Sequence, residues 1–230
     1  MKIRTLHLLD GAKEARGITV IIDVFRAFST ACYAFNQGAS GIIPVASIDT
    51  AYRIKEQNPG FLLMGEREEQ KPPGFDFGNS PAHLLHADLE GKTMIHTTSS
   101  GTQGIEAATR ASEIITGSFV NAGAIVRYIK NQNPELVSLV CMGYACEYPT
   151  DEDTLCAAYL TNELTGVQSD FPEMVKTIRE GSGSRFFGPK NQEWSPKEDF
   201  NLCLNLNHFN FVLKYNRGSD FNFLSKVDVV

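Results

Sequence analysis

The sequence contains no apolar run approaching the roughly eighteen residues that cross a bilayer, and Met1-Lys2-Ile3-Arg4 does not open the apolar segment of a secretory signal. No membrane partner is therefore expected, and the expected location is the cytoplasm. Cysteine is scarce: Cys32, Cys141, Cys146, Cys156 and Cys203 are odd in number and without CxxC spacing. That pattern implies neither a disulfide framework nor a thiolate metal site; these read as mostly buried thiols of a reducing compartment. Clustered Lys and Arg are also missing, and the net charge is -6. A nucleic-acid partner is excluded on that ground, because displacing counterions requires gathered cations. The histidines lack close metal-ligand spacing, and His83 with His86 at i, i+3 suits a helix surface.

What is present is an ordinary globular composition, with 42% hydrophobic and 21% charged residues in a chain of 230. That length accommodates one domain, residues 1–230, with a full core. "GITVIID" (17–23) is apolar and β-branched, and "AFSTACYAFNQG" after it has helical spacing closed by Gly38. The pair recurs as "GIIPV" and "SIDTAYRIKEQ", "KTMIHTT" and "TQGIEAATRA", "EIITGSF" and "NAGAIVRYIKNQ", then "ELVSLVCMG" and "DEDTLCAAYLTNEL". "GFLLMG" (60–65) adds a strand followed by a polar loop. Nearly continuous apolar strands alternating with helices predict an α/β fold, a three-layer α/β/α sandwich with a largely parallel or mixed sheet. Beyond residue 166 the rhythm breaks: "GSGSRFFGPKNQEWSPKED" reads as loop, and "FNFVLKY" (209–215) as one late strand at a sheet edge.

Ligands of open parallel sheets bind beyond the carboxyl ends of the strands, so the residues there are the candidates. Asp23 ends an apolar strand, where a carboxylate is costly unless paired, metal-bound or capping the next helix. Arg26 follows, with Ser29 and Thr30, and Glu66 and Arg67 come after "GFLLMG". The arginines suit bidentate phosphate binding or solvated ion pairs. The turn Thr97, Thr98, Ser99, Ser100, Gly101, Thr102 combines hydroxyls with a bare backbone before a helix. Such a turn offers N–H groups and a positive dipole end to an anion, although a single hydroxyl there also serves as an N-cap. "PPGFDFGNSP", containing Asp76 and Asn79, is rigid and polar. Thr150-x-x-Asp153 fits a capping box.

Taken in order, "IIDVFRAFST", "GEREEQKPPGFDFGNSP", "KTMIHTTSSGTQGI", "ITGSFVNAGAI" and "PTDEDTLCAAYL" resemble the 2-phosphosulfolactate phosphatase family over residues 18 to about 165. The resemblance implies a Mg²⁺-dependent acid phosphatase with a three-layer α/β/α fold. Its implied reaction converts 2-phosphosulfolactate to sulfolactate and phosphate on the route to coenzyme M. Asp23, Arg26, Glu66, Arg67, Asp76, Asn79, the 97–102 turn, Glu152 and Asp153 match the family's motif positions. Two departures stand out: Ser99-Ser100 replaces a Thr-Asn or similar pair, and Asn207 with His208 stand where an acid and an arginine are expected.

Carboxylates facing a phosphate dianion require a cation between them. Asp23, Glu66, Asp76, Glu152 and Asp153 form the pool of Mg²⁺ ligands, direct or through water. Arg26, Arg67 and the 97–102 turn would hold the phosphoryl oxygens, attacked by water or by Asp23 itself. The expected partner is a small anionic phosphorylated substrate, with a homodimer allowed. A haloacid-dehalogenase arrangement fails because Phe25 stands where its second aspartate belongs. An isochorismatase-like cysteine hydrolase, suggested by "VIIDVFRAF" and "LVCMGYACEYPTDEDTLCAAY", lacks its lysine. A non-catalytic phosphometabolite-binding module is the remaining alternative, separated by phosphate release.

Overall fold

The computed structural model describes residues 1–189 and 192–229. The first half runs β1 (Lys2–His7), α1 (Leu8–Glu14), β2 (Ile18–Ile22), α2 (Ala27–Asn36), β3 (Gly41–Pro44), α3 (Ile48–Gln57), β4 (Leu62–Gly65) and α4 (Pro81–Leu84). Next come β5 (Thr93–Thr97), α5 (Gly101–Ala107), β6 (Glu113–Gly117), α6 (Ala122–Gln132), β7 (Leu136–Cys141) and α7 (Asp151–Thr165). The chain closes with α8 (Phe171–Glu180), α9 (Glu198–Cys203), β8 (Phe211–Asn216) and β9 (Phe223–Asp228). Short 3-10 segments occupy Phe119–Asn121 and Ser182–Phe187. Among the described residues no helix is long and apolar enough to cross a membrane.

The strands form one nine-stranded sheet in the order β1-β7-β2-β6-β8-β9-β3-β5-β4. β2 is central to the first block: Val20 sits opposite Ile115 of β6 and Leu139 of β7, both parallel. Its side chains alternate between faces, with Ile18, Val20 and Ile22 in one apolar cluster and Ile21 in the other. α6 and α7 pack on the first face, α2 and residues of α1 and α5 on the second, giving the helix–sheet–helix layering. α6 buries Ala122, Ile125, Val126 and Ile129, the three-to-four spacing of one helical face, and stops at Asn133 in the left-handed region.

Two expectations about the tail are corrected. β8 is not an edge strand: it lies between β6 and β9 and pairs antiparallel with both. The β8–β9 hairpin therefore joins two parallel blocks, β1-β7-β2-β6 and β3-β5-β4. The stretch "GSGSRFFGPKNQEWSPKED" is not all loop, since it holds the 182–187 turn of helix and the start of α9, while Lys190 and Asn191 lie outside the described residues. Phe186 and Phe200 are fully buried and anchor these short elements to the core. One or two turns carry too few apolar residues to show a period.

Because β3 pairs antiparallel with β9, a flat sheet would leave the carboxyl ends of the two blocks pointing in opposite directions. The ends of β2 and β5 are joined instead by the turn after β5 and by α5, which packs on β2 with Gly104 against Ile21, so that Gly101 N lies 2.8 Å from Asp23 Oδ2.

The ring of His96 on β5 is fully buried, and neither nitrogen has a hydrogen-bond partner among the described residues. Burial first, and Arg67 second, push its pKa down to about 3. The ring is neutral when folded and takes a proton when unfolded, so stability falls as pH drops from about 6.5 toward 3. Urea titrations of wild type and His96→Leu at pH 7, 6 and 5 are expected to show wild type losing about 1 kcal/mol per pH unit relative to the variant below pH ~6. A gap independent of pH would refute the neutral buried ring.

Candidate active site

Asp23 follows β2 directly and is almost wholly buried. Its Oδ1 accepts from Ala27 N at 3.1 Å and its Oδ2 from Gly101 N at 2.8 Å, the first residues of α2 and α5. One carboxylate thus meets the starts of two helices. The glycine is required for this: a Cβ at 101 would lie 2.9 Å from Asp23 Oδ2, from Ala27 Cβ and from Phe28 Cζ. Burial still dominates the electrostatics and, with Glu66 nearby, raises the Asp23 pKa to about 7 against the opposing amides.

Asp153, on the first turn of α7, repeats the arrangement one layer back. Its Oδ1 accepts from Val24 N and its Oδ2 from Gly143 N, each at 2.9 Å, tying the turn after β2 to the end of β7. The expected capping box is absent, since Thr150 makes no side-chain cap bond and Asp153 points to these two amides instead. Burial, then Glu152 and Asp23, push Asp153 well above the ordinary carboxylate range. Glu66 accepts from Ser99 N at 2.7 Å, Glu69 N at 3.0 Å and Ser99 Oγ at 3.2 Å. Glu152 is hydrogen-bonded by Ser182 Oγ, and burial raises its pKa against the pull of Arg185.

The hydroxyl-rich turn does receive anions, but they are the protein's own. Ser99 N serves Glu66, Gly101 N serves Asp23, and Thr98 N and Thr102 N bond the hydroxyls of Thr102 and Thr98. Of the turn, Ser99 and Ser100 line the cleft; Thr97, Thr98, Gly101 and Thr102 lie behind it. Ser100 Oγ donates to Gly143 O at 2.8 Å.

The cleft, about 210 Å³, is also lined by Asp23, Arg26, Glu66, Glu68, Glu69, Asn79, Tyr144, Glu147, Glu152 and Arg185. Other sequence candidates sit elsewhere. Arg67 donates to Ala46 O, Glu66 O and Thr97 Oγ1 at 2.6–2.8 Å, bracing the strand ends rather than lining the cleft. Asp76 Oδ2 accepts from Leu63 N at 2.8 Å and lies 3.8 Å from Lys55 Nζ, outside the cleft, because its loop folds back along β4. Ser29 is buried against Val24 O and Ser118, and Thr30 is buried within α2. Asn207 accepts from Gly123 N and His208 stacks on Tyr33, so the tail departures do not line the cleft.

Arg185, Ser182 and Asp199 escaped the sequence reading because they stand in a segment without strand or helix period. Arg185 lies 3.4 Å from Glu69 Oε1 and donates to Phe25 O at 3.2 Å. Asp199 pairs with Arg26 at 2.7 Å, both side chains buried.

Six carboxylates against two guanidinium groups line this cleft, and the shifts of Asp23 and Glu152 are those of acids short of counter-charge. Carboxylate oxygens in excess of the guanidinium groups are the donor chemistry of a hard divalent cation. Among the described residues no group of three or more His, Cys, Asp or Glu is placed to hold a metal ion. Burial pushes Cys146 up to about 11 and Cys141 higher still, leaving no thiolate to favour cysteine hydrolysis.

The chain matches the family described as 2-phosphosulpholactate phosphatase over residues 4–218. It is 34% identical to the "Probable 2-phosphosulfolactate phosphatase" of Caldicellulosiruptor saccharolyticus, covering 92% of this chain and 85% of that one. The protein of the same printed name in Thermoplasma volcanium is 32% identical, with 94% and 99% covered. That of Thermotoga petrophila is 45% identical over 60% of this chain, and the match spans 59% of that relative's length.

Gly101→Ala is expected to cost about 2 kcal/mol or more of stability, since backbone and Asp23 must give way. Asp153→Asn, which places an amide N–H against either Val24 N or Gly143 N, should cost about 1–3 kcal/mol. Chemical denaturation reads both; a neutral effect of either substitution would contradict the packed carboxylate arrangement.

Proposed function

This chain belongs to the 2-phosphosulpholactate phosphatase family, and on that premise we propose that its acidic cleft is a Mg²⁺-dependent phosphatase site for a phosphorylated 2-hydroxy acid. The substrate on this reading is 2-phosphosulfolactate, released as sulfolactate and phosphate within a single cytoplasmic domain serving coenzyme M formation. The observation that carries it is the pairing of buried acids short of counter-charge with two arginines in one cleft.

Asp23, Glu66 and Glu152 are the lining acids that would hold the cation, while Asp153 supports the turn behind Asp23. Mg²⁺, when bound, neutralises these acids and polarises the phosphoryl oxygens. Arg26 and Arg185 offer guanidinium donors to the phosphoryl group as negative charge shifts to the leaving alkoxide. The hydroxyls of Ser99 and Ser100 and the amide of Asn79 are polar groups on the same walls. Both oxygens of Asp23 already accept backbone N–H bonds, which holds the carboxylate still and dampens its nucleophilicity. Attack by water is therefore favoured over an aspartyl-phosphate.

The test is phosphate release from a panel of phosphorylated 2-hydroxy acids, with and without Mg²⁺. Turnover is expected to disappear in excess chelator and return with Mg²⁺; full turnover after dialysis against chelator would refute the metal requirement. Release from no ester in the panel would leave a binding module. Asp23→Asn should lower kcat about a hundredfold or more, the scale of losing one strong electrostatic contact in the transition state. Near wild-type turnover in that variant would reduce Asp23 to a helix cap.

A further inference from the structure

Behind the cleft lies a buried ion pair that none of the sequence motifs contains. Asp199, on α9, is fully buried. Its Oδ2 accepts from Arg26 Nη1 at 2.7 Å, and its Oδ1 accepts from Ser80 Oγ at 2.8 Å and Ala82 N at 2.9 Å. Arg26 lines the cleft, and so does Asn79, the residue before Ser80. A single carboxylate thus grips two cleft walls that lie more than fifty residues apart in sequence.

The geometry at Arg26 is one-sided. Nη1 makes both of its bonds, to Asp199 and to Trp194 O at 2.5 Å. Among the described residues no hydrogen bond from Nη2 or Nε is found, so that edge of the guanidinium is unspent where the side chain borders the cleft. A guanidinium this deeply buried needs a compensating carboxylate, and its planar fork is oriented once one nitrogen is pinned. Asn79 borders the cleft as well and is followed directly by the gripped Ser80, so its amide is placed by the same carboxylate.

We infer that Asp199 is a positioning residue: through Oδ2 it aims the free edge of Arg26, and through Oδ1 it sets the Asn79–Ser80 wall, so that both meet the phosphoryl group in one register. The inference rests on the reading of this cleft as a phosphoryl site. The competing role is a staple that holds α9 to α2 and α4 without bearing on the ligand.

A double-mutant cycle between Asp199→Asn and Arg26→Gln separates the two. The asparagine retains an oxygen for Ser80 and Ala82 but turns an N–H group toward Arg26 Nη1, donor against donor. Two readouts are taken, kcat/KM on the phosphorylated 2-hydroxy acid and affinity for inorganic phosphate by calorimetry, with melting temperature alongside. Asp199→Asn is expected to lower both by about tenfold or more, to have less than about a twofold further effect in the Arg26→Gln background, and to be restored in part by Asp199→Glu. Should Asp199→Asn not fold, Ser80→Ala replaces it in the cycle, with the same non-additivity expected at about threefold. Additive losses in the cycle, or unchanged kcat/KM and phosphate affinity with only a lowered melting temperature, would overturn the inference in favour of the staple. A wild-type protein that turns over no ester, yet shows the non-additive cycle in phosphate affinity, would overturn the phosphatase reading and leave the positioning role standing. Absence of both turnover and phosphate binding in wild type would overturn both.

Discussion

The carboxylate of Asp23, accepting from the first amides of α2 and α5, is the interaction on which the site depends. It joins the carboxyl end of β2 to that of β5, two strands that are not neighbours in the sheet. Everything else is arranged to tolerate a buried acid at that point. Gly101 leaves room for the oxygen, the helix starts supply partial positive charge, and Asp153 secures Val24 just behind. Those concessions do not neutralise the carboxylate, whose pKa remains near 7 because burial and Glu66 outweigh two amide bonds. A site in that condition carries more buried carboxylate than positive charge to offset it.

The sheet explains why these groups meet. Two parallel blocks joined by an antiparallel hairpin would, if flat, hold their carboxyl ends apart. The turn after β5 bridges them, with Ser99 N bonded to Glu66 from the end of β4 and Gly101 N bonded to Asp23 at the end of β2. The hydroxyl-rich turn is the hinge of that meeting, with its amides divided between Glu66 and Asp23. It organises the acids, which in turn leave Ser99 and Ser100 on the cleft wall.

The C-terminal third closes the other side. Ser182 engages Glu152, Arg185 stands against Glu69, and Asp199 compensates Arg26, all from short elements held down by Phe186 and Phe200. Arg67 and Asp76, equally conspicuous in their motifs, spend their hydrogen bonds away from the cleft, Asp76 on Leu63 N of β4 and Arg67 on Glu66 O, Ala46 O and Thr97 Oγ1 at the ends of β4, β3 and β5. Polar residues at strand ends thus divide into those that face the cleft and those that hold its walls.

Sequence by itself determined the strand–helix pairs between residues 17 and 165, because long apolar runs and helical spacing are local properties of the chain, while β1, α1 and the single turn of α4 were not legible in it. It also placed Asp23, Arg26, Glu66, Asn79, Ser99 and Ser100 in the segments after strand ends, and Glu152 at the start of a helix, and these residues line one cleft. Only the tertiary structure decided that β8 is internal, since pairing partners are chosen by non-local hydrogen bonds that leave no trace in a strand's own composition. It alone separated Arg67 and Asp76 from the cleft and brought in Arg185 and Asp199, because a charged side chain's role is set by which distant backbone and carboxylate groups surround it. That surrounding is fixed by how the whole sheet and its helices pack, which no short stretch of residues encodes.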